Sequence, residues 1–164
     1  NESAIRPYDS LPMPGYQNLS LKPGMKFRVY NKTVPWVPAL SSITDEPVEN
    51  GVIENFTMEG LAAEQDWIVA YEGFIQVTSS GLYNFSFSVN HKSVFRLHKA
   101  LIFDADYNYQ SGTEVTEQVM LEAGFHPFTL IYAGTGSPDV TLQWSGPGFE
   151  VKSLTGSDIF HSQN

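Results

Sequence analysis

Trp67-Ile68-Val69-Ala70-Tyr71-Glu72-Gly73-Phe74-Ile75-Gln76-Val77, then Thr78-Ser79-Ser80-Gly81, then Leu82-Tyr83-Asn84-Phe85-Ser86-Phe87-Ser88-Val89 sets the architecture of this chain. Its first segment is apolar and rich in aromatic and β-branched residues, which suit a pleated, half-buried surface. In its last segment Tyr83, Phe85, Phe87 and Val89 alternate with Asn84, Ser86 and Ser88, the period of two of a strand with one wet face. The spacing predicts a central hairpin turned at Thr78 to Gly81. A polar loop, Asn90-His91-Lys92-Ser93, follows, and a further strand-like segment runs to Phe103 and Asp104.

The same pattern extends both ways. Upstream, Met25, Phe27 and Val29 share one face of a strand while Lys26 and Arg28 share the other. Gly51 to Phe56 reads as a short strand. Met58 to Asp66 is the one place where a helical turn is expected, too short to define a fold class. Downstream, Val94 to His98 and Leu101 to Phe103 flank a tight turn at Lys99-Ala100. Thr113 to Leu121, Phe128 to Tyr132 and Val140 to Trp144 supply three more strands, separated by Glu122-Ala123-Gly124 and Gly134 to Pro138. About nine or ten short strands with turn chemistry between them predict an all-β fold: an antiparallel β-sandwich or barrel-like module with long loops. Residues 1–22, with Pro7, Pro12 and Pro14, read as an N-terminal arm or linker, and residues 23–164 as one domain. Pro35, Pro38 and Pro47 mark a wrapping loop in which Trp36 either plugs the core or stands exposed as a sugar platform.

The 164 residues carry 9 Lys and Arg against 18 Asp and Glu, a net charge of −9 that repels a phosphate backbone and disfavours nucleic acid. No apolar run reaches the roughly 20 residues needed to cross a bilayer, so membrane insertion is not expected. There is no cysteine, which excludes disulfides, thiolate metal sites and cysteine nucleophiles. The chain does not begin with Met and shows no signal-peptide pattern, as in a processed protein or a piece of a longer one. N-x-S/T triplets begin at Asn18, Asn31, Asn55 and Asn84 and bear on modification only in a eukaryotic secretory host.

The order of these features resembles the protective-antigen fourteen-kilodalton (PA-14) domain family. The residues that carry the resemblance are Trp67 to Ile75 (W-x-V-x-Y-x-G-F-I), Ser80 to Phe85 (S-G-L-Y-x-F) and Leu121 to Phe128 (L-x-A-G-x-H-P-F). Ile131-Tyr132 and Leu142-Gln143-Trp144 before Gly146-Pro147-Gly148 complete the set, which spans Pro23 to Phe160. The resemblance implies an antiparallel β-sandwich or barrel-like module of exported proteins, with carbohydrate recognition a recurring role. In sugar-binding adhesin members, two adjacent aspartates in the loop after the Y-x-F strand hold a calcium ion. Here that loop is Asn90-His91-Lys92-Ser93, and a further family aspartate is replaced at His98; Asp104 alone keeps a family-like acidic position. Calcium needs several oxygens, preferably anionic, so calcium is disfavoured and no cofactor or metal ligand is predicted.

Candidate ligand-binding residues are therefore Asn90, His91, Asp104, Asp106, Tyr107 and Tyr109. Carboxylates and amides can bond sugar hydroxyls while a tyrosine ring stacks on a pyranose face; the plainer reading of Asp104 and Asp106 is as turn residues accepting backbone hydrogen bonds. No catalytic residue is assigned, since neither a G-x-S-x-G elbow, a phosphate-binding glycine loop nor H-E-x-x-H occurs. Glu72, inside an apolar run, is either buried with a raised pKa or turned to solvent opposite Tyr71. The expectation is a non-catalytic carbohydrate-binding module, an accessory domain of an exported, bacterial saccharide-processing protein such as a glycoside hydrolase. Its place would be extracellular, on the cell surface or periplasmic, and its partners a glycan and other domains of the parent chain. The alternative is a ligand-free structural or interdomain packing module of a larger secreted enzyme or adhesin.

Overall fold

A computed structural model describes residues 20–32, 43, 46–56, 60–62, 64–89, 92–98, 100–104, 115–136, 140–155 and 158–162. They form twelve strands: β1 (Leu21–Pro23), β2 (Met25–Asn31), β3 (Glu49–Ile53), β4 (Asp66–Val77), β5 (Gly81–Val89), β6 (Lys92–Leu97), β7 (Ala100–Asp104), β8 (Val115–Leu121), β9 (Gly124–Thr135), β10 (Val140–Gly146), β11 (Phe149–Ser153) and β12 (Ile159–Ser162). The eight-stranded sheet runs β1-β12-β4-β9-β6-β7, with β2 also on β4 and β3 on β2; the four-stranded sheet runs β11-β10-β5-β8. All pairings among these strands are antiparallel. The fold is thus a two-sheet sandwich and not a closed barrel, and the described residues contain no helix. Of the Met58 to Asp66 segment, where a helical turn is expected, residues 60–62 and 64–65 carry no regular element before β4 begins at Asp66.

The predicted central hairpin is corrected by this topology. β4 pairs with β2, β9 and β12, whereas β5 pairs with β8 and β10 in the other sheet. The segment Thr78 to Ser80 is therefore an arch that carries the chain across the sandwich. Tyr83 Oη donates to Ser79 O at 2.5 Å and the Ala123 amide donates to Ser80 Oγ at 2.9 Å, tying that arch to the β8–β9 crossing. Further crossings join β5 to β6, β7 to β8, β9 to β10 and β11 to β12. Sequence neighbours pair as hairpins at β2/β3, β6/β7 and β10/β11. The N-terminal reading meets the fold at β1, where Leu21 to Pro23 pair with Phe160 to Ser162; residues 1–19 and Trp36 lie outside the described residues.

Alternation decides which side chains fill the space between the sheets. β4 sends Val69, Tyr71, Ile75 and Val77 inward, and β5 sends Tyr83, Phe85 and Phe87 inward to meet them. Phe85 and Phe87 of the small sheet lie 6.0 and 5.0 Å from Phe95 of the large one, and Phe87 stacks on Phe103 at 4.5 Å and 9°. Phe95 in turn lies 5.9 Å from Phe128, and Phe85 5.9 Å from Trp144. Offset and tilted ring pairs of this kind add to the area they bury. On edge strand β8, Glu117 shares the face of Val119 and Leu121 and is half-buried, a charge that discourages pairing with another chain.

Truncating Phe87 removes both ring contacts at once. Phe87→Ala is expected to destabilise the fold by about 3–5 kcal/mol, read as a lower midpoint in urea unfolding. A loss under about 1 kcal/mol would show that the site is not packed as described.

Candidate functional site

Strand direction gathers the candidate loops at one end of the sandwich. β5 and β7 both finish there, at Val89 and Asp104, and β6 and β8 both restart there, at Lys92 and Val115. Val115 pairs with Phe87 and Asp104 with Val94. The connections 90–91 and 105–114 thus leave from either side of the Phe87–Phe103 stack, which fixes their roots against each other. Asn90, His91, Asp106, Tyr107 and Tyr109 lie outside the described residues, as does the side chain of Asp104, whose backbone closes β7. At the root of the first loop, Lys92 is half-buried and Ser93 fully buried opposite Tyr132.

The same end carries a polar recess of about 360 Å³ lined by Asn31, Lys32, Glu64, Gln65 and Asp66. Asn31 Nδ2 donates to Asp66 O at 2.9 Å and to Gln65 Oε1 at 3.3 Å, and Thr135 Oγ1 donates to Asp66 Oδ1 at 2.8 Å. The Gly136 amide donates to Gln65 O at 3.1 Å. These bonds lock the start of β4 against the ends of β2 and β9. From β4 to β7 is three strand spacings, roughly 14 Å, so the recess opens at the same end of the sandwich as the strand ends that root the candidate loops. Amides and carboxylates held this way suit a hydroxyl-rich ligand. The sequence reading missed the recess because its residues come from two segments that become neighbours only through β2–β4 pairing. In the sequence Asn31 stands out only as the start of an N-x-T triplet.

The remaining candidates separate from this end. Glu72 points to the outer face of the large sheet, opposite Tyr71, where its Oε1 lies 2.6 Å from Arg28 Nη2. Half-exposed pairs of this kind contribute about 0–1 kcal/mol. His98 sits at the far end, in the β6–β7 turn, with φ of 55° and its amide donating to Pro127 O at 2.7 Å. Its Nε2 lies 2.9 Å from His126 Nδ1, and His126 Nε2 lies 2.7 Å from Glu122 O. The carbonyl can only accept, so His126 donates from Nε2, and its bare Nδ1 accepts from His98 Nε2–H. His126 is fully buried, and this relay ties the β6–β7 turn to the β8–β9 crossing. Among the described residues no group of three or more His, Cys, Asp or Glu is placed to hold a metal ion.

An antiparallel two-sheet sandwich with the roots of its candidate loops at one end defines a β-sandwich module. The PA14 domain model matches residues 21–153, and the chain belongs to that family. No curated protein matches the chain. Among solved structures, an anti-sigma factor domain-containing protein from Clostridium clariflavum is similar at a TM-score of 0.67 and 19% identity, over 91% of this chain and 51% of that one. This chain thus spans about half the length of that relative. A PA14 sugar-binding domain from an RTX adhesin matches at a TM-score of 0.69 and 11% identity, over 85% of this chain and 99% of that one. The Epithelial Adhesin 9 A domain from Candida glabrata, in complex with Galb1-3GlcNAc, matches at a TM-score of 0.65 and 10% identity, over 87% of this chain and 90% of that one. At these identities the likeness shows a shared fold.

The histidine relay predicts an acid limb in stability. Burial, and for His98 the neighbouring His126, lowers the pKa of His98; burial lowers that of His126 against the pull of the Glu122 carbonyl and charge. The unfolded chain therefore binds these protons more readily than the folded one. Stability is held above the free-histidine pKa of about 6.5 and falls as pH drops below it. Thermal unfolding between about pH 8 and pH 5 should show this fall, and His98→Gln with His126→Gln should flatten it. An unchanged slope in that double variant would refute the assignment.

Proposed function

We propose that this domain is a non-catalytic carbohydrate-binding module that meets its glycan at the rim formed by connections 90–91 and 105–114. The observation that carries the reading is that the strand ends rooting those two connections meet at the Phe87–Phe103 stack in a PA14 fold. Two adhesin domains of the same fold, one a sugar-binding domain and one solved in complex with a glycan, support it. Tyr107 and Tyr109 offer apolar rings for a pyranose face, while Asn90, His91, Asp104 and Asp106 offer partners for its hydroxyls. The polar recess around Asp66 would extend the same rim for a longer saccharide.

The calcium route of sugar-binding adhesins does not suit these residues. Calcium takes six to eight oxygen ligands, largely carboxylate and carbonyl. At the root of the first loop the chain has the Lys92 ammonium and a Ser93 hydroxyl turned into the core. Sugar binding here is direct, with no metal bridging it. Such a module belongs to an exported parent, outside the cell or on its surface, and raises the parent's local saccharide concentration.

Glycan-array screening followed by calorimetry tests this. Binding should persist in EDTA, and Tyr107→Ala should weaken it about two- to tenfold, the loss of one stacked ring being worth about 0.5–1.5 kcal/mol. No glycan bound at millimolar concentration, or binding abolished by EDTA, would overturn the proposal.

A further inference from the structure

The outer face of the large sheet carries a second concavity, of about 370 Å³, whose lining includes Lys26, Glu72, Phe74, Pro127 and Thr129. Its origin lies in how β4 is paired. Along one edge, β4 is bonded to β2 through Glu72 and to β12 from Phe74 onward. At Gly73 one partner hands over to the other. The seam is closed by the Gly24 amide donating to Ile159 O at 2.9 Å and by His161 Nδ1, 3.1 Å from Gly24 O. A Cβ at Gly73 would stand 2.7 Å from Phe160 O and 3.3 Å from Met25 Cβ, so the handover requires glycine. The cleft is a consequence of the strand arrangement and is framed by backbone on several strands.

Its chemistry is divided. Phe74 and Pro127 are directly paired across β4 and β9 and form an apolar side. Two residues back along β4, Glu72 faces Thr129 on β9, with Lys26 opposite Glu72 on β2. Two cations, Lys26 and Arg28, stand beside the one carboxylate of Glu72, and the Arg28 ion pair holds that carboxylate in place. Around the cleft, Arg96 on β6 is paired with Thr129, so Lys26, Arg28 and Arg96 surround the Glu72 carboxylate. On a chain of net charge −9 this local excess of cations draws anions toward it.

We infer that this cleft is a second ligand site, and that it takes a saccharide ring bearing a carboxylate, as in a uronic acid. The ring's apolar face lies on Phe74 and Pro127, its carboxylate meets the Lys26 ammonium, and its hydroxyls bond the Thr129 hydroxyl and the Glu72 carboxylate. A neutral sugar would forgo the attraction of this positive face, and an apolar ligand would bury Glu72 and Thr129 without replacing their water. The volume falls in the range of about 300–1,000 Å³ usual for small-molecule sites. Glu72 lies roughly 20 Å along β4 from Asp66, so this site is separate from the loop rim and does not depend on the function proposed there.

Amide chemical shifts of the isotope-labelled domain, titrated with digalacturonate and with its uncharged dimethyl ester, test the inference. The acid should shift Lys26, Phe74 and Thr129, the ester should shift them much less, and added salt should weaken the acid's binding. Lys26→Gln, which leaves the core untouched, should reduce affinity for the acid about tenfold or more. Phe74→Ala should reduce it for acid and ester alike. Shifts confined to the loop rim, equal shifts with the ester, or none at millimolar digalacturonate would each overturn the assignment.

Discussion

A layer of aromatic rings bridges two sheets that no disulfide joins, and the rest of the structure follows from it. Phe85 and Phe87 project from the small sheet onto Phe95 and Phe103 of the large one, and Phe95 passes the contact on to Phe128. With no cysteine in the chain, burial of these faces is what holds the sheets together. Each fully buried ring contributes about 1.5–3 kcal/mol relative to exposure. Because the chain crosses between sheets again and again, each strand must start with the correct face inward. A slip of one residue in β5 would put Asn84, Ser86 and Ser88 into that layer.

That constraint also positions function. The rings at the end of β5 and β7 root two connections on one rim, while the far rim is sealed by the Tyr83–Ser79 bond and the His98–His126–Glu122 relay. One end of the sandwich is thereby tied together and the other presents loops. The handover of β4 from β2 to β12 at Gly73 adds a different kind of feature, a recess on a sheet face made by backbone pairing.

Strands are legible in the sequence because period-two alternation is a local property: β2, β5, β8 and β10 read directly from their apolar residues. Their partners are not. The Thr78 to Gly81 turn has the polar residues of a hairpin, yet a short arch between sheets uses the same residue types. Alternation says which residues share a face and leaves open whether the next strand lies beside or opposite. Before Trp67, where a helical turn is expected, Leu61 packs against the core, and Ala62 O accepts from the Gln65 amide at 3.4 Å in a single turn and from Trp67 Nε1 at 3.1 Å, with no helix continuing from it among the described residues. For the site, the loop residues are visible as chemistry, but the recess at Asp66 and the cleft at Glu72 are not. Both combine residues far apart in sequence that strand register alone makes neighbours.

Glycan binding at the rim rooted on Phe87 and Phe103, without calcium, is open to direct observation in a crystal structure of the domain with a bound glycan, grown in chelator. The expected result is a sugar ring on Tyr107 or Tyr109 with hydroxyls on Asn90 or Asp104 and no metal between them. A glycan seated away from that rim, or one held there through a bound cation, would contradict the proposal.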